Sequence, residues 1–133
     1  MERLSRVLVT GADGFIGKNL VVRLKKTANC TVHSFVRETD AEQLSNLISD
    51  TDFVVHLAGE NRPKDHAAFK KVNTDLTKIL CNSLVSENEK TGRKVSLILA
   101  SSTQVGQDNM YANSKAEAES IVLNYSKATS ART

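Results

Sequence analysis

Tyr111 and Lys115 stand four residues apart in Tyr111-Ala112-Asn113-Ser114-Lys115, a spacing that puts both on one face of a helix. A phenol in water loses its proton only near roughly pH 10, so useful proton exchange at neutral pH needs a cation beside it. Lys115 can be that cation. Taken alone, Y-x-x-x-K is a common pattern and reads as a half-buried tyrosine next to a solvated lysine. Here the pair follows an apolar run ending in Ser101-Ser102-Thr103, hydroxyls suited to hydrogen-bond a carbonyl oxygen. A second constellation lies near the N-terminus, where Thr10-Gly11-Ala12-Asp13-Gly14-Phe15-Ile16-Gly17 sets glycines at spacing G-x-x-G-x-x-G. Gly11 permits a tight turn, Gly14 lets backbone amides approach a pyrophosphate at the positive end of a helix, and Gly17 lets that helix pack closely on the preceding strand. A third lies in Phe35-Val36-Arg37-Glu38, at the strand end where dinucleotide folds meet the adenosine ribose. An acidic residue there suits a free 2′-hydroxyl, whereas the guanidinium of Arg37 suits a 2′-phosphate. NADP(H) is therefore favoured, with NAD(H) as the alternative because Glu38 adjoins Arg37.

These residues need elements to hold them, and hydrophobic periodicity supplies the order. Val7-Leu8-Val9 is a strand leading into the glycine turn, and Ile16, Leu20 and Leu24 recur every four residues as the inner face of a helix. Thr31 to Val36 reads as a second strand and Ala41 to Ile48 as a short helix with Leu44, Leu47 and Ile48 inward. Phe53-Val54-Val55-His56-Leu57 and Val95-Ser96-Leu97-Ile98-Leu99 read as strands buried on both faces of a parallel sheet. Between them, Phe69, Val72, Leu76, Ile79, Leu80 and Leu84 trace one face of a long helix, from about residue 64 to 85. A last helix runs from about Tyr111 to Lys127 with Ala118, Ile121, Val122 and Tyr125 on its apolar side. Strict alternation of strand and helix predicts an α/β fold: the N-terminal part of a Rossmann-type doubly wound parallel sheet, about four strands with flanking helices. Residues 1–133 are expected to be one dinucleotide-binding domain.

Bulk properties exclude other classes. Apolar residues are 40% and charged residues 25% of the chain, as in a soluble globular domain, and no apolar run approaches the roughly 18 residues of a membrane span. The N-terminus carries no secretory pattern and Cys30 and Cys81 lack paired spacing, so a cytoplasmic protein with neither disulfide framework nor metal site is expected. The net charge of +3 is spread along the chain without a basic block, which points away from nucleic acid. His33, His56 and His66 lack ligand spacing, and His56 reads simply as a strand residue near the cofactor edge.

In order along the chain, these motifs resemble the extended short-chain dehydrogenase/reductases, the epimerase/dehydratase group acting on nucleotide sugars. The stretch Thr10 to Gly17 is similar to that family's T-G-x-x-G-x-x-G, and His56-Leu57-Ala58-Gly59 to its H-x-A-G. Asn73 is similar to its helix asparagine, and Ser102, Tyr111 and Lys115 to its Ser-Tyr-Lys set. The resemblance implies a cofactor site of Gly11, Asp13, Gly14, Phe15, Ile16, Gly17, Arg37, Leu57, Ala58, Gly59 and Lys115. It implies catalysis by Ser102, Tyr111, Lys115 and Asn73, the last holding the final helix and a proton-relaying water. Leu57 to Pro63, Ala100 to Gln104 and Gln107 to Tyr111 further resemble capsular-polysaccharide reductases, which use NADPH to reduce a UDP-2-acetamido-2,6-dideoxy-4-hexulose. Glu60 stands where a small apolar residue is expected, Met110 where a proline is, and Val105-Gly106-Gln107 where V-Y-G is usual.

What the resemblance implies beyond the residues present is a completed sheet, a sugar-binding region and, in the capsule group, a C-terminal cupin domain. A UDP-sugar is then the expected substrate, and a homodimer through helices 64–85 and 111–127 the expected assembly. Two other readings stay open: a 4-epimerase of the same family, and a non-catalytic nucleotide-binding fragment.

Overall fold

The computed structural model describes residues 4–27, 29–36, 39–58, 73–102 and 105–133. Four short strands form one parallel sheet: β1 (Ser5–Thr10), β2 (Cys30–Phe35), β3 (Phe53–His56) and β4 (Ser96–Leu99), in the spatial order β2-β1-β3-β4. Helices α1 (Phe15–Lys26), α2 (Leu44–Ser49, entered through a 3-10 turn at Ala41–Gln43), α3 (Leu76–Thr91) and α4 (Met110–Thr129) alternate with them. The order changes direction at β1, since β2 adds on one side and β3 on the other. This reversal is the switch point at which such sheets leave a crevice beyond their carboxyl ends.

The predicted fold class is borne out, and the differences lie in which faces are covered. Odd and even strand residues face opposite sides. Leu8, Val54 and Leu97 point to a large core with Leu44, Ile48, Leu80, Leu84, Val122 and Tyr125, so α2, α3 and α4 cover that side. Val7 and Val9 point the other way, where Leu20, Val21 and Leu24 of α1 pack with Phe53 and Val55. Beyond α1 this second side is open among the described residues. Ile98 is consequently 50% exposed, which corrects the expectation that β4 is buried on both faces.

Two helix faces are also corrected. Ile16 was expected inward, yet it is 65% exposed. A four-residue step overshoots a 3.6-residue turn by about 40° each time, and the stripe that packs is Gly17, Leu20, Val21 and Leu24. Ile79 is exposed on α3, whose buried stripe is Thr77, Leu80, Cys81 and Leu84; it precedes Leu80 by one residue, about 100° around the helix. The predicted inner face of α4 holds, with Ala118, Val122 and Tyr125 buried and Ile121 packed beside them.

Charged groups secure the end of the sheet remote from the glycine turn. Arg6 binds Asp52 through its backbone amide, Nε and Nη2 and reaches Asp50 at 2.6 Å, which holds the Asp50 carboxyl below its usual range. Arg93 donates to the carbonyls of Ser49 (3.0 Å) and Thr51 and to Glu87 (2.9 Å), capping the C-terminus of α2. Within the large core, Tyr125 is 2% exposed and its hydroxyl donates to the Val95 carbonyl at 2.6 Å. Tyr125→Phe leaves that buried acceptor short of a donor and should cost about 1–2 kcal/mol, read as a lower urea midpoint with an unchanged slope.

Candidate active site

The glycine turn is wedged between two strand ends. Gly11 N–H donates to the Phe35 carbonyl at 3.0 Å, and Leu57 N–H to the Thr10 carbonyl at 3.3 Å. Gly11 has a φ of +65°, and a Cβ on it would lie 2.7 Å from Ala58 N. A Cβ on Gly17 would lie 2.0 Å from the Gly11 carbonyl oxygen. Neither position admits any other residue without moving backbone. Above the turn, α1 starts at Phe15 with Gly14 as its N-cap, no capping side chain and no acidic residue in its first turn. Amides of a first helical turn have no acceptor within the helix and carry the positive end of its dipole. Asp13, Phe15 and Ile16 are exposed around them. The arrangement fits the pyrophosphate of a dinucleotide, with Leu57 and Ala58 forming the adjoining wall. Arg37 and Gly59, the other residues expected at the cofactor, lie outside the described residues.

The second half of the site is built on α4. Asn109 caps it, its Oδ1 accepting from Ala112 N–H at 2.7 Å, so the helix starts cleanly with Met110 at its first position. Tyr111 is half-buried, whereas Lys115 is 6% exposed and donates from Nζ to the Ala100 carbonyl at 3.0 Å. Ala100 follows β4 directly, and its N–H bonds the His56 carbonyl at 3.1 Å. Lys115 thus ties α4 to the strand end from which Ser102 emerges. Burial lowers the proton affinity of the Lys115 ammonium, and Glu119 one turn later opposes that shift. A lysine poised in this way can take part in proton transfer.

Asn73 is 1% exposed, and its Nδ2 donates to Ser114 Oγ at 2.9 Å, while the Thr74 hydroxyl donates to the Ser114 carbonyl at 3.4 Å. Ser114 in turn donates to the Tyr111 carbonyl at 2.8 Å. Asn73 is therefore brought against α4 at Ser114, the residue before Lys115. Sequence reasoning reads His56 simply as a strand residue near the cofactor edge, yet it is fully buried between Thr10 Oγ1 (2.6 Å) and Thr77 Oγ1 (2.9 Å). The signal was present: Thr10, His56 and Thr77 are polar residues at positions where strand alternation and the α3 stripe require burial.

The matching protein-family model, the NAD dependent epimerase/dehydratase family, covers residues 7–133. The chain belongs to that family. It is 43% identical over 114 residues to the UDP-2-acetamido-2,6-beta-L-arabino-hexul-4-ose reductase of Pseudomonas aeruginosa, spanning 86% of this chain and 30% of that protein. Among solved structures it is similar to the capsular polysaccharide assembling protein CapF of Staphylococcus aureus, with a TM-score of 0.77 and 32% identity over 95% of this chain and 33% of CapF. The UDP-glucuronic acid 4-epimerase of Bacillus cereus, solved with NAD, shares the fold, with a TM-score of 0.77 and 21% identity over 95% of this chain and 54% of the epimerase. The chain thus spans about a third of the reductase and of CapF.

Burial, with the nearby Lys115 charge adding to it, pushes His56 down from 6.5 to about 4. Between those values the unfolded chain binds a proton that the folded chain refuses, so folding stability falls as pH drops through this window. From pH 7 to pH 5 the loss should be about 2 kcal/mol, measured by urea unfolding at the two pH values. His56→Gln should flatten this dependence. Equal pH slopes for the two proteins would show that His56 is not buried as a neutral ring.

Proposed function

We propose that this chain is the dinucleotide-binding domain of an NADPH-dependent reductase acting on the 4-keto group of a UDP-2-acetamido-2,6-dideoxy-hexulose. The substrate-binding region and a C-terminal cupin domain belong to the remainder of such an enzyme. One observation carries the reading. Lys115 is drawn inward onto the Ala100 carbonyl, which gathers the Tyr111 helix and the Ser102 strand end at the carboxyl end of the sheet, the end at which the glycine turn lies. The 43% identity to the Pseudomonas aeruginosa reductase supports this choice of carbonyl substrate.

In this reading the cofactor, when bound, supplies hydride to the carbonyl carbon. The amides after Gly14 and the wall at Leu57 and Ala58 hold the pyrophosphate side. Ser102 donates a hydrogen bond to the substrate oxygen, and Tyr111 delivers the proton that completes the alcohol. Lys115 holds the nicotinamide ribose and stands as the cation beside the phenolate left by Tyr111. Asn73 fixes Ser114 and with it the helix turn between Tyr111 and Lys115. The free thiols of Cys30 and Cys81 suit a cytoplasmic enzyme.

Preference for NADPH follows from Arg37. The hydrogen bond from Gly11 N–H to the Phe35 carbonyl keeps the end of β2 beside the turn, two residues before Arg37. Nicotinamide fluorescence should show NADPH binding about tenfold or more tighter than NADH, the worth of one charge-assisted pair, and Arg37→Asp should remove the preference. No binding of either cofactor would sink the proposal.

Pairing of two copies through α3 and α4 belongs to the same reading, and Ile79, Met110 and Leu123 are the large apolar residues exposed there for it to cover. Sedimentation should give a dimer at micromolar concentration that Leu123→Glu dissociates. A wild-type monomer at that concentration would rule it out.

A further inference from the structure

A series of hydrogen bonds at the buried end of β3 has a direction that its own neighbours fix. Thr77 has one hydroxyl proton, and it goes to the Asn73 carbonyl at 2.9 Å, so toward His56 Nε2 at 2.9 Å the Thr77 oxygen accepts. Nε2 therefore carries the ring proton. In a neutral ring Nδ1 is then the acceptor, and the partner 2.6 Å away, Thr10 Oγ1, donates to it. The Thr10 oxygen still has a lone pair, which takes the N–H of Ala58 at 3.1 Å. The run is Ala58 to Thr10 to His56 to Thr77 to the Asn73 carbonyl, with every proton used once. From the Asn73 carboxamide it resumes through Ser114 to the Tyr111 carbonyl, at 2.9 and 2.8 Å.

The two ends of this run are the two halves of the site. Ala58 is the backbone against which Gly11 packs without room for a Cβ, and Ser114 lies between Tyr111 and Lys115 on α4. A flat, rigid imidazole cannot turn to improve one of its bonds without losing the other. We propose that His56, held as its Nε2–H tautomer, is a positioning residue that couples the glycine turn to the α4 segment bearing Tyr111 and Lys115. The bonds stand by themselves, and what they position rests on the dinucleotide reading above. His56 touches neither cofactor nor substrate in this role; it acts through Thr10 and Thr77.

The test uses the full chain, labelled with 15N, as wild type, Thr77→Val and Thr77→Ser. Thr77 is completely buried on α3, so an effect at the turn must travel through His56. At pH 7 the wild-type ring should show a protonated Nε2 and a bare Nδ1. In Thr77→Val the Ala58 amide should exchange about tenfold faster relative to the β3 amides, and the NADPH dissociation constant should rise about tenfold, the worth of one hydrogen bond. Thr77→Ser, which keeps the hydroxyl, should restore both. A ring protonated on Nδ1 overturns the proposal, as does a Thr77→Val chain that is less stable yet unchanged at Ala58 and in NADPH affinity. The tautomer is read on the wild type and decides even where Thr77→Val does not fold. If the wild type binds no dinucleotide, the functional reading falls, while the tautomer and the Ala58 exchange rate still decide the coupling.

Discussion

Contact between bare backbones at the turn after β1 is the constraint on which the other features of this structure depend. The Gly17 Cα faces the Gly11 carbonyl so closely that no Cβ fits between them, and Gly11 is pressed just as closely against the Leu57–Ala58 backbone. These two contacts set how steeply α1 leaves the sheet and how near the end of β3 comes to β1. Because the turn is closed by backbone, the first-turn amides of α1 are left facing outward with no side chain in the way. In the proposed dinucleotide reading, the place for the pyrophosphate comes from this packing geometry and the helix dipole.

Polarity is concentrated at the opposite wall of the same crevice. Thr10, His56, Thr77, Asn73, Ser114 and Lys115 are all buried, in a region where an unsatisfied group is costly. The first five satisfy one another in series and Lys115 donates to the Ala100 carbonyl, and among the described residues no buried side-chain polar atom lacks a partner. Two of these groups respond to burial in the same direction, since both His56 and Lys115 hold their protons less tightly. The nearby Lys115 charge adds to burial in disfavouring protonation of His56.

Much of this was legible in the sequence, for identifiable reasons. The glycine spacing between an apolar run and an amphipathic stretch fixed strand, turn and helix together, and the short Val- and Leu-rich runs marked the other strands. The Tyr111 and Lys115 spacing held because α4 is regular from its Asn109 cap onward. Coverage of faces was not legible: Ile98 sits in the same apolar run as Leu97, yet Leu97 lies in the large core and Ile98 is half exposed on the opposite face of β4. Ile16 failed through the drift of a four-residue step against the helical turn, and Ile79 because it precedes Leu80 by one residue, about 100° around the helix. His56 was undervalued because its partners come from β1 and α3, 46 and 21 residues away in sequence, and no local pattern announces such a meeting.

The two sides of the sheet also differ in how much chain each requires. The smaller cluster, under α1, draws its members from Val7 to Leu57, whereas the larger one runs from Leu8 to Ala131. On a ribosome, which delivers the N-terminal part first, the α1 side has all its residues at hand while α3 and α4 are still unmade. The other side is covered in stages by α2 and α3, and its cluster is complete only when α4 and Ala131 have emerged. Half of this small sheet is therefore a local structure that assembles early, and the other half is a long-range one whose apolar surface needs shielding during synthesis.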